Sequence, residues 1–323
     1  MPSPATPDRT ASTPLLGSIL VVVAGVLVAL TAAHHWPHQG DDGFIFFRHA
    51  ERLARGLWGW TDGVAPLEGY SSPLWLFLLT GLHAIGLTTP LAAKVLGGAS
   101  VVALFAGVWA LVRTLGGTRT SVGVAWVMLA LLRPLTFWAF AGLETPLAAA
   151  ILVWTAWGLA SGRGRWGVPT ALLGLVRPEG PAMVLGVWII VALRTRKWPS
   201  WKATLTAVMP TAIWLGLRLI IYGDVLPNTF YAKAAGAPLE QAIRGLTYAS
   251  TLTPALAVLA LLVWIGRERL TSTAAATLAA LAAGQLAIII VGGGDWMWFG
   301  RLLVPVLPLV VVLAVWGASN GGP

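Results

Sequence analysis

Long apolar runs separated by short polar segments fill most of the chain. Eight of these runs share a length sufficient to cross about 30 Å of hydrocarbon as a helix. They lie at residues 15–35, 91–112, 120–137, 143–160, 200–222, 248–265, 271–291 and 300–318. Two shorter runs, 166–176 and 180–193, are joined by a polar turn and predict a hairpin of two short helices. The pattern therefore predicts an all-α polytopic membrane protein with about ten transmembrane helices.

The segments at the two ends of the sequence differ from the rest. Residues 1–14 are short and polar, and we expect a disordered cytoplasmic N-terminus there. The run that follows lacks a cleavage-site pattern at its end and predicts a retained first helix. We expect residues 15–318 to form a single transmembrane domain without a sizeable soluble domain, and residues 319–323 to form a short tail.

The composition agrees with this class of protein. The chain has 323 residues, of which 57% are hydrophobic and 10% are charged, whereas soluble domains carry roughly a quarter charged residues. The sequence contains no cysteine, which excludes disulfides and thiolate metal sites. The net charge of +9 is not gathered on one polar segment. We therefore expect the lipid bilayer as a partner and no nucleic acid.

Basic residues predict the orientation, because loops rich in Lys and Arg stay in the cytoplasm. Four basic groups fall on one side if residues 72–87 dip into the membrane and return as a re-entrant or juxtamembrane helix. These groups are Arg113/Arg119, Arg163/Arg165, Arg194/Arg196/Lys197/Lys202 and Arg267/Arg269. The prediction is a multi-pass protein of the inner (plasma) membrane with both termini cytoplasmic. Residues 36–90 and 223–247 are then periplasmic loops.

Acidic residues concentrate on the opposite side in this topology. Ten of the twelve are predicted to be periplasmic, most of them in short turn-rich strings. An eleven-residue helix rises only about 16 Å, so Arg177 and Glu179 should lie well below the outer surface. Ionisable residues at such depth indicate a functional site, and a polar cavity open to the periplasm would accommodate them. The alternative is that these strings are ordinary loop turns.

Two adjacent aspartates, Asp41 and Asp42, directly follow the first span in "HHWPHQGDDGF". One of them could act as a general base that takes a proton from an acceptor hydroxyl. The other could orient a ligand or bind a divalent cation, and the metal requirement stays open. The alternative is that either residue only caps the helix that begins here. His34 and His38 have an i,i+4 spacing that Pro37 interrupts, which favours interfacial histidines over a metal site.

The helix that begins at these aspartates is predicted to be amphipathic and to lie in the membrane interface. Its apolar face carries Phe46, Phe47, Ala50, Leu53, Ala54 and Leu57, and its polar face carries Arg48, Glu51, Arg52 and Arg55.

Five cations lie near predicted outer helix ends, away from the cytoplasmic groups: Arg133, Arg177, Arg218, Lys233 and Arg301. Arginine offers bidentate geometry and lysine a point charge to a phosphate, so these cations could bind a lipid phosphate. The alternative is that they form structural ion pairs with the acids of the same side. Both roles are compatible in one site.

Six strings occur in a fixed order: "DDGFIFFRHAERLARG", "EGYSSPLW", "GLETPL", "RPEG", "YGDVLPNTFYAK" and "GGDWMWFGRLLVPVLPL". Together they resemble the actinobacterial GT-C glycosyltransferases, and the resemblance extends in order from about residue 38 to 310. The similarity is greatest to the terminal β-(1→2) arabinofuranosyltransferases of cell-wall arabinan. One departure is "DDGFIFF" where "DDAYI" is more typical, which removes a tyrosine hydroxyl but keeps both carboxylates.

The resemblance implies a GT-C-like fold with a periplasmic active site. It implies a polyprenyl-phosphate-linked sugar as donor, decaprenyl-phosphoryl-arabinose in those relatives, and a cell-envelope glycan as acceptor. The catalytic base corresponds to Asp41–Asp42, and we expect Arg177, Lys233 and Arg301 to bind the donor phosphate. The remaining motif residues are expected to line the cavity: Glu68, Tyr70, Glu144, Glu179, Asn228, Tyr231 and Asp295.

Two other classes of function remain open. An ion-coupled transporter or lipid flippase would show carboxylates near the midplane of both halves and an internal repeat. Here the acids lie mostly on one predicted side, and the sequence shows no repeat. A non-catalytic subunit of a cell-wall assembly complex would not require Asp41 and Asp42, both of which are present.

Overall fold

The computed structural model describes residues 14–64, 66–162, 164–228, 237–251 and 272–319, together with five single residues between 257 and 264. Within these residues the regular structure is helical and no strand occurs. The α-helices are α1 (Pro14–His35), α2 (Asp41–Leu53), α3 (Pro73–Ala84), α4 (Thr89–Thr114), α5 (Arg119–Leu131), α6 (Arg133–Ala139), α7 (Thr145–Ser161), α8 (Gly167–Val176), α9 (Gly180–Thr195), α10 (Trp201–Tyr222), α11 (Pro238–Ser250), α12 (Thr273–Val291) and α13 (Leu307–Ser319); a 3₁₀ helix covers Trp298–Leu303.

The all-helical prediction is confirmed for the described chain, but the count of ten crossings is not. Four helices, α1, α4, α10 and α12, have the length and apolar composition to cross a membrane, and α5 with α6 adds a fifth if the pair is one span. Helices α3, α7, α8, α9 and α13 are apolar but shorter. Half of the predicted span 248–265 lies outside the described residues, as do residues 1–13 and 320–323 of the predicted terminal segments.

Two predicted spans are interrupted. The run 120–137 bends by 70° between α5 and α6. The break is at Leu132, which has φ −76° and ψ 90°, because Pro134 lacks the N–H for a helical bond to the carbonyl of residue 130 and its ring clashes with that carbonyl. The run 300–318 becomes an α-helix only at Leu307. Before it, Phe299 and Gly300 have φ values of 55° and 56°, and two prolines, Pro305 and Pro308, limit helical hydrogen bonding at its start.

The described basic residues of three predicted groups meet at one end of the bundle, as the topology requires, whereas Arg163, Arg267 and Arg269 lie outside the described residues. The Trp157 indole of α7 donates a hydrogen bond of 3.1 Å to Thr114 Oγ1, which is beside Arg113 at the end of α4. Arg165 lies 5.5 Å from the Trp157 ring, and Arg194 donates to the Leu159 carbonyl. The described members of the groups at 113–119, 163–165 and 194–202 therefore share one end.

Helix α3 returns towards the opposite end instead of crossing. Its twelve residues rise about 18 Å, short of the roughly 30 Å of a hydrocarbon core. Near its start, Trp75 donates to the Gly142 carbonyl at 3.2 Å. Just after it, Thr89 donates to Glu51 of α2 at 2.8 Å. Both flanks of α3 thus meet the end that carries α2, which agrees with the predicted dip of residues 72–87.

The turn between α6 and α7 joins four parts of the chain. Its three consecutive carbonyls each accept a hydrogen bond from a different element. Lys94 of α4 donates to Phe140, the Gly40 N–H donates to Ala141 at 2.9 Å, and Trp75 of α3 donates to Gly142. Lys94 also donates to the His38 carbonyl. These contacts hold the start of α2 against the turn that precedes α7.

The apolar core lies between α4, α5, α7 and α13. Leu104, Leu129 and Leu152 are fully buried there, and Val311 and Val312 of α13 are equally inaccessible. Helix α13 is buried along nearly its whole length, so it occupies the centre of the bundle and its short span is surrounded by protein.

We expect Gly97→Ala to destabilise the packing of α4 against α6. A Cβ at residue 97 would collide with the Ala139 carbonyl, and overpacking of this kind costs about 1–3 kcal/mol. The neighbouring Gly98→Ala is the matched control, because its Cβ would meet only a ring carbon of Phe140 at 3.9 Å. Thermal unfolding of the purified protein in detergent should show a lower midpoint for Gly97→Ala alone. Equal midpoints for the two variants would contradict this packing.

Candidate functional site

The two aspartates at the start of α2 have different surroundings. The N-cap of α2 is Gly40, so the expectation that Asp41 or Asp42 is the N-cap residue is wrong; both lie in the first turn. Asp41 is exposed, and its Oδ1 accepts the Asp42 N–H at 2.9 Å, which satisfies a free amide of the first turn. The Asp42 side chain is 34% exposed and lies 3.5 Å from Arg301. Asp42 is therefore the aspartate that points into the protein.

Helix α2 follows the predicted amphipathic pattern only in part. Phe46, Phe47 and Ala50 are buried as expected, and Arg48 and Arg55 of the polar face are exposed. Arg52 of the predicted polar face is buried, however, and so is His49. Arg52 donates to the Gly59 carbonyl at 2.8 Å and pairs with Asp62 at 2.5 Å. The loop that follows α2 folds back over this face, which the periodicity of α2 alone does not indicate.

Arg301 lies between two carboxylates. One terminal nitrogen is 2.5 Å from Asp295 and the other is 3.5 Å from Asp42, which are 6 and 259 residues away along the chain, respectively. The guanidinium is 5.8 Å from the centre of the Trp138 ring, so one face is covered. Its buried Nε has no acceptor within the described chain. The two carboxylates occupy one N–H of each terminal nitrogen, so Arg301 keeps further N–H donors beyond these ion pairs.

The 3₁₀ segment that carries Arg301 is strained and is held from outside. Phe299 has a φ of 55°, a left-handed conformation that bulky residues rarely adopt. Its ring packs on Phe137 at 4.8 Å. The Leu302 N–H donates to the hydroxyl of Tyr248, a buried residue of α11, at 2.8 Å. Such strain persists only where surrounding contacts maintain it, so Tyr248 and Phe137 determine where Arg301 lies.

A second arginine lies between two carboxylates at the turn between α8 and α9. Arg177 is 2.9 Å from Glu144, which immediately precedes α7, and 2.5 Å from Glu179. Gln285 of α12 donates to Glu179 at 3.1 Å. Burial opposes the charge on Glu179, but Arg177 outweighs it and holds the pKa of that carboxyl below its usual value. Arg177 is buried and the Glu179 side chain is 14% exposed, and their depth in the membrane stays a prediction.

These two groups form one site, which we call the carboxylate–arginine cluster: Asp42, Glu144, Arg177, Glu179, Asp295 and Arg301. The charge of Asp295 acts on Arg177 as well as on Arg301. Two arginines face four carboxylates, so the cluster has a formal charge of −2. Asp42 carries part of this charge and has the most exposed side chain of the four carboxylates.

A separate group surrounds Glu68 and Tyr70 behind α2. Glu68 pairs with Arg218 of α10 at 2.8 Å, and the Tyr70 and Tyr222 hydroxyls are 2.9 Å apart. Burial raises the pKa of Glu68 despite Arg218, and burial also raises the pKa of the Tyr70 phenol. The structure therefore does not bring the predicted residues Glu68 and Tyr70 into the carboxylate–arginine cluster.

Two described residues of the prediction, Asn228 and Arg133, join neither group. Asn228 is exposed, and Tyr231 and Lys233 lie outside the described residues. Arg133 is exposed, 5.1 Å from the Phe299 ring. Across the described ranges no set of three His, Cys, Asp or Glu side chains could hold a metal ion, so the divalent cation stays a prediction without support from the geometry.

Three residues of these groups were missed in the sequence: Tyr248, Tyr222 and Gln285. The two tyrosines lie on helices whose periodicity says nothing of a distant partner. Gln285 could have been found, because it is the single polar side chain in the run "LAALAAGQLAIIIV" and polar residues within a span indicate function.

A cavity of about 550 Å³ opens beside the carboxylate–arginine cluster. One wall is the face of α11 that carries Arg244, Thr247 and Tyr248, and the other is the turn from Gly292 to Trp296 after α12. The Asp295 side chain is buried behind this turn against Arg301. Asp295 therefore connects the cavity wall to the ion pairs of the cluster.

No family model and no curated protein matches the chain. Solved structures do match. The crystal structure of ArnT from Cupriavidus metallidurans bound to undecaprenyl phosphate superposes with a TM-score of 0.62 at 18% identity. The apo state of the same protein gives 0.57 at 16% identity.

The chain has the fold of ArnT. Each comparison covers 95% of this chain but only 60% of the ArnT chain, so this protein spans about three fifths of ArnT's length. The GT-C-like architecture expected from the motif resemblance is thereby supported at the level of the fold. Identities below one fifth carry no information on the sugar, the acceptor or the subtype.

We predict that Arg177→Met strongly destabilises the protein. Removal of this cation leaves Glu144 and Glu179 buried without a counter-charge, and breaking a buried ion pair from one side costs about 3–5 kcal/mol. The measurement is the thermal unfolding midpoint in detergent at neutral pH.

The control is Asp62→Asn, which breaks the Arg52 pair at a side chain that is 77% exposed. Exposed ion pairs contribute little to stability, so this variant should unfold close to wild type. If the unfolding midpoint of Arg177→Met equals that of Asp62→Asn, the carboxyl groups of Glu144 and Glu179 are protonated or hydrated in the folded protein.

His49 should make the protein sensitive to mild acid. Burial, and then Arg52 and Arg48, lower its pKa from 6.5 to about 4. The unfolded chain therefore binds a proton between pH 6.5 and 4 and the folded chain does not, so stability falls as pH falls through this window. The loss should reach about 1–3 kcal/mol by pH 4.

The measurement is the midpoint of thermal unfolding as a function of pH, for wild type and for His49→Gln. The variant should show a flatter dependence from pH 6.5 to 4, because the protonation of residue 49 is removed. Parallel curves for the two proteins would exclude His49 as the cause.

Proposed function

We propose that this protein is a membrane glycosyltransferase that transfers a sugar from a polyprenyl-phosphate donor to a cell-envelope glycan on the periplasmic side. The observation that carries the proposal is the Asp42–Arg301–Asp295 arrangement. It joins the first-loop aspartate and the arginine of the last motif, 259 residues apart, in a chain with the fold of ArnT. One ArnT structure is of a complex with undecaprenyl phosphate, which supports a lipid-phosphate donor here.

We assign the general-base role to Asp42. A base must reach a ligand and be ionised at the working pH, and a neighbouring guanidinium stabilises an ionised carboxylate. Asp42 meets both conditions, since its side chain is 34% exposed and Arg301 is 3.5 Å away. Asp41 accepts the Asp42 amide proton and faces outward, which supports a helix-stabilising role.

Of the predicted phosphate ligands, Arg301 has the strongest support. Its terminal nitrogen beside the partly exposed Asp42 has a second N–H, which can donate to a phosphate oxygen while Asp295 holds the other terminal nitrogen. Arg177 already has Glu144 and Glu179 on its edges. We propose Arg177 as a group that orients the site, and Lys233 keeps its proposed phosphate role from the motif resemblance alone.

The reaction then proceeds as follows. The acceptor hydroxyl gives its proton to the Asp42 carboxylate while its oxygen attacks the anomeric carbon of the donor. The bond between that carbon and the phosphate oxygen breaks, and polyprenyl phosphate leaves as an anion. Arg301 stabilises the negative charge that develops on the leaving oxygen. The motif series favours arabinofuranose as the sugar, with decaprenyl-phosphoryl-arabinose as donor.

The test uses purified protein, radiolabelled decaprenyl-phosphoryl-arabinose and a short arabinan acceptor. Wild type should transfer the label, and Asp42→Asn should lower kcat by about 10²–10⁴-fold, the usual contribution of a general base. The matched control is Asp41→Asn, whose side-chain oxygen can still accept the amide proton and which should keep most of the activity.

Activity that survives in Asp42→Asn would remove Asp42 as the base, and loss in Asp41→Asn alone would transfer the role to Asp41. If wild type transfers none of a set of polyprenyl-phosphate sugars, with or without divalent cations, the glycosyltransferase proposal fails.

A further inference from the structure

The 550 Å³ cavity between α11 and the turn after α12 has no role in the mechanism above. Its volume is in the range of small-molecule sites. Which ligand it suits depends on the hydrogen-bonding groups that its walls leave available. The backbone, the side-chain hydroxyls and the aromatic surface can each be assessed from the contacts of the described residues.

The backbone wall offers acceptors and few donors. The N–H groups of Gly292, Gly293 and Gly294 donate to carbonyls of α12 at 2.8, 3.2 and 3.0 Å, and the Trp296 N–H donates to Asp295 Oδ1 at 2.9 Å. A phosphate has only acceptor oxygens and needs free N–H groups, as found where backbone amides cradle anions. The glycine turn therefore does not form a phosphate cradle.

The hydroxyl groups of the opposite wall are also available as hydrogen-bond acceptors. Thr247 donates its hydroxyl hydrogen to the Ile243 carbonyl at 2.9 Å, and Thr251 donates to the Tyr248 carbonyl at 2.7 Å. A hydroxyl has one hydrogen and two lone pairs. Both threonine oxygens can therefore accept a hydrogen bond from a ligand while their donors are in use. A ligand rich in hydroxyl donors suits this wall.

The aromatic surface completes this chemistry. Trp296 lines the cavity and is 65% exposed, so its indole presents an apolar face with a polar edge. Arg244 is exposed on the α11 wall and can donate to ring or hydroxyl oxygens. A saccharide has apolar C–H faces for the indole and hydroxyl groups that donate to the threonines, whereas a phosphate would find Arg244 as a donor but none of the four backbone N–H groups named above.

We propose that this cavity binds the acceptor saccharide, with Trp296 as the stacking surface, Thr247 and Thr251 as acceptors, and Arg244 as a donor. The inference rests on the proposed function, which requires a glycan beside the base. The Asp295 carboxylate behind the cavity wall holds Arg301, and Arg301 contacts Asp42. The Arg301 guanidinium therefore lies between the wall of this cavity and the proposed base, Asp42.

The test compares Trp296→Ala and Thr247→Val with wild type in the transfer assay, varying acceptor and donor separately. We expect Trp296→Ala to raise the acceptor KM about tenfold, as loss of one good aromatic contact implies, and Thr247→Val to raise it less. The donor KM and kcat should change less than twofold. Trp298→Ala is the matched control, because Trp298 is 78% exposed and lies outside the described cavity lining.

Two kinetic outcomes would overturn the inference: an unchanged acceptor KM in Trp296→Ala, as in the Trp298→Ala control, or a rise in the donor KM instead. The latter would assign the cavity to the donor's own sugar. Unfolding midpoints equal to wild type are required of all three variants, and the exposure of both tryptophans makes this the expected result.

A binding measurement separates this inference from the proposed function. Calorimetric titration of a short arabinofuranosyl oligosaccharide, without donor, should show binding by wild type and by Trp298→Ala but not by Trp296→Ala. If that pattern holds while no donor supports transfer, the saccharide site stands and the transferase proposal fails. If transfer occurs but Trp296→Ala binds like wild type, the transferase stands and the site is overturned. No binding by wild type also overturns the site.

Discussion

The turn between α6 and α7 interrupts helical hydrogen bonding inside an apolar bundle. It leaves the carbonyl groups of Phe140, Ala141 and Gly142 without helical N–H partners. Backbone acceptors at such a place are costly unless they are paired, and here Lys94, Gly40 and Trp75 pair them from three other elements. The same contacts hold the start of α2 beside the residue before α7. The position of Asp42 relative to Glu144 is therefore a consequence of the need to satisfy three carbonyl groups.

The arginines of this end of the bundle follow the same constraint. Arg177, Arg218 and Arg301 are each below a tenth exposed, and each is bound by at least one carboxylate. A buried guanidinium without a counter-charge would be strongly destabilising. Pairing also has a chemical consequence, because it leaves Asp42 both exposed and adjacent to a cation. The structural and the catalytic interpretations of these residues are therefore two results of one arrangement.

The likeness to ArnT and the motif resemblance concern different properties. The superposition extends over 95% of this chain, so it supports the architecture of the whole described bundle. The motif strings concern individual side chains, and the structure gathers Asp42, Glu144, Arg177, Glu179, Asp295 and Arg301 from four of the six strings. Glu68 and Tyr70 of a fifth string face Arg218 and Tyr222 instead.

Sequence alone determined that this chain is a helical membrane protein, because the free energy of a polar group in hydrocarbon depends on local composition and not on partners. It also indicated the end of the bundle where the acids meet, and at the predicted short hairpin Arg177 is buried and Glu179 is 14% exposed. Tertiary structure alone decided that Gly40, not Asp42, caps α2, that Arg52 is buried under its own loop, and that Tyr248 holds the segment of Arg301. Such pairings depend on residues that are tens to hundreds of positions apart, and helical periodicity carries no information on which distant side chain will supply the missing hydrogen bond.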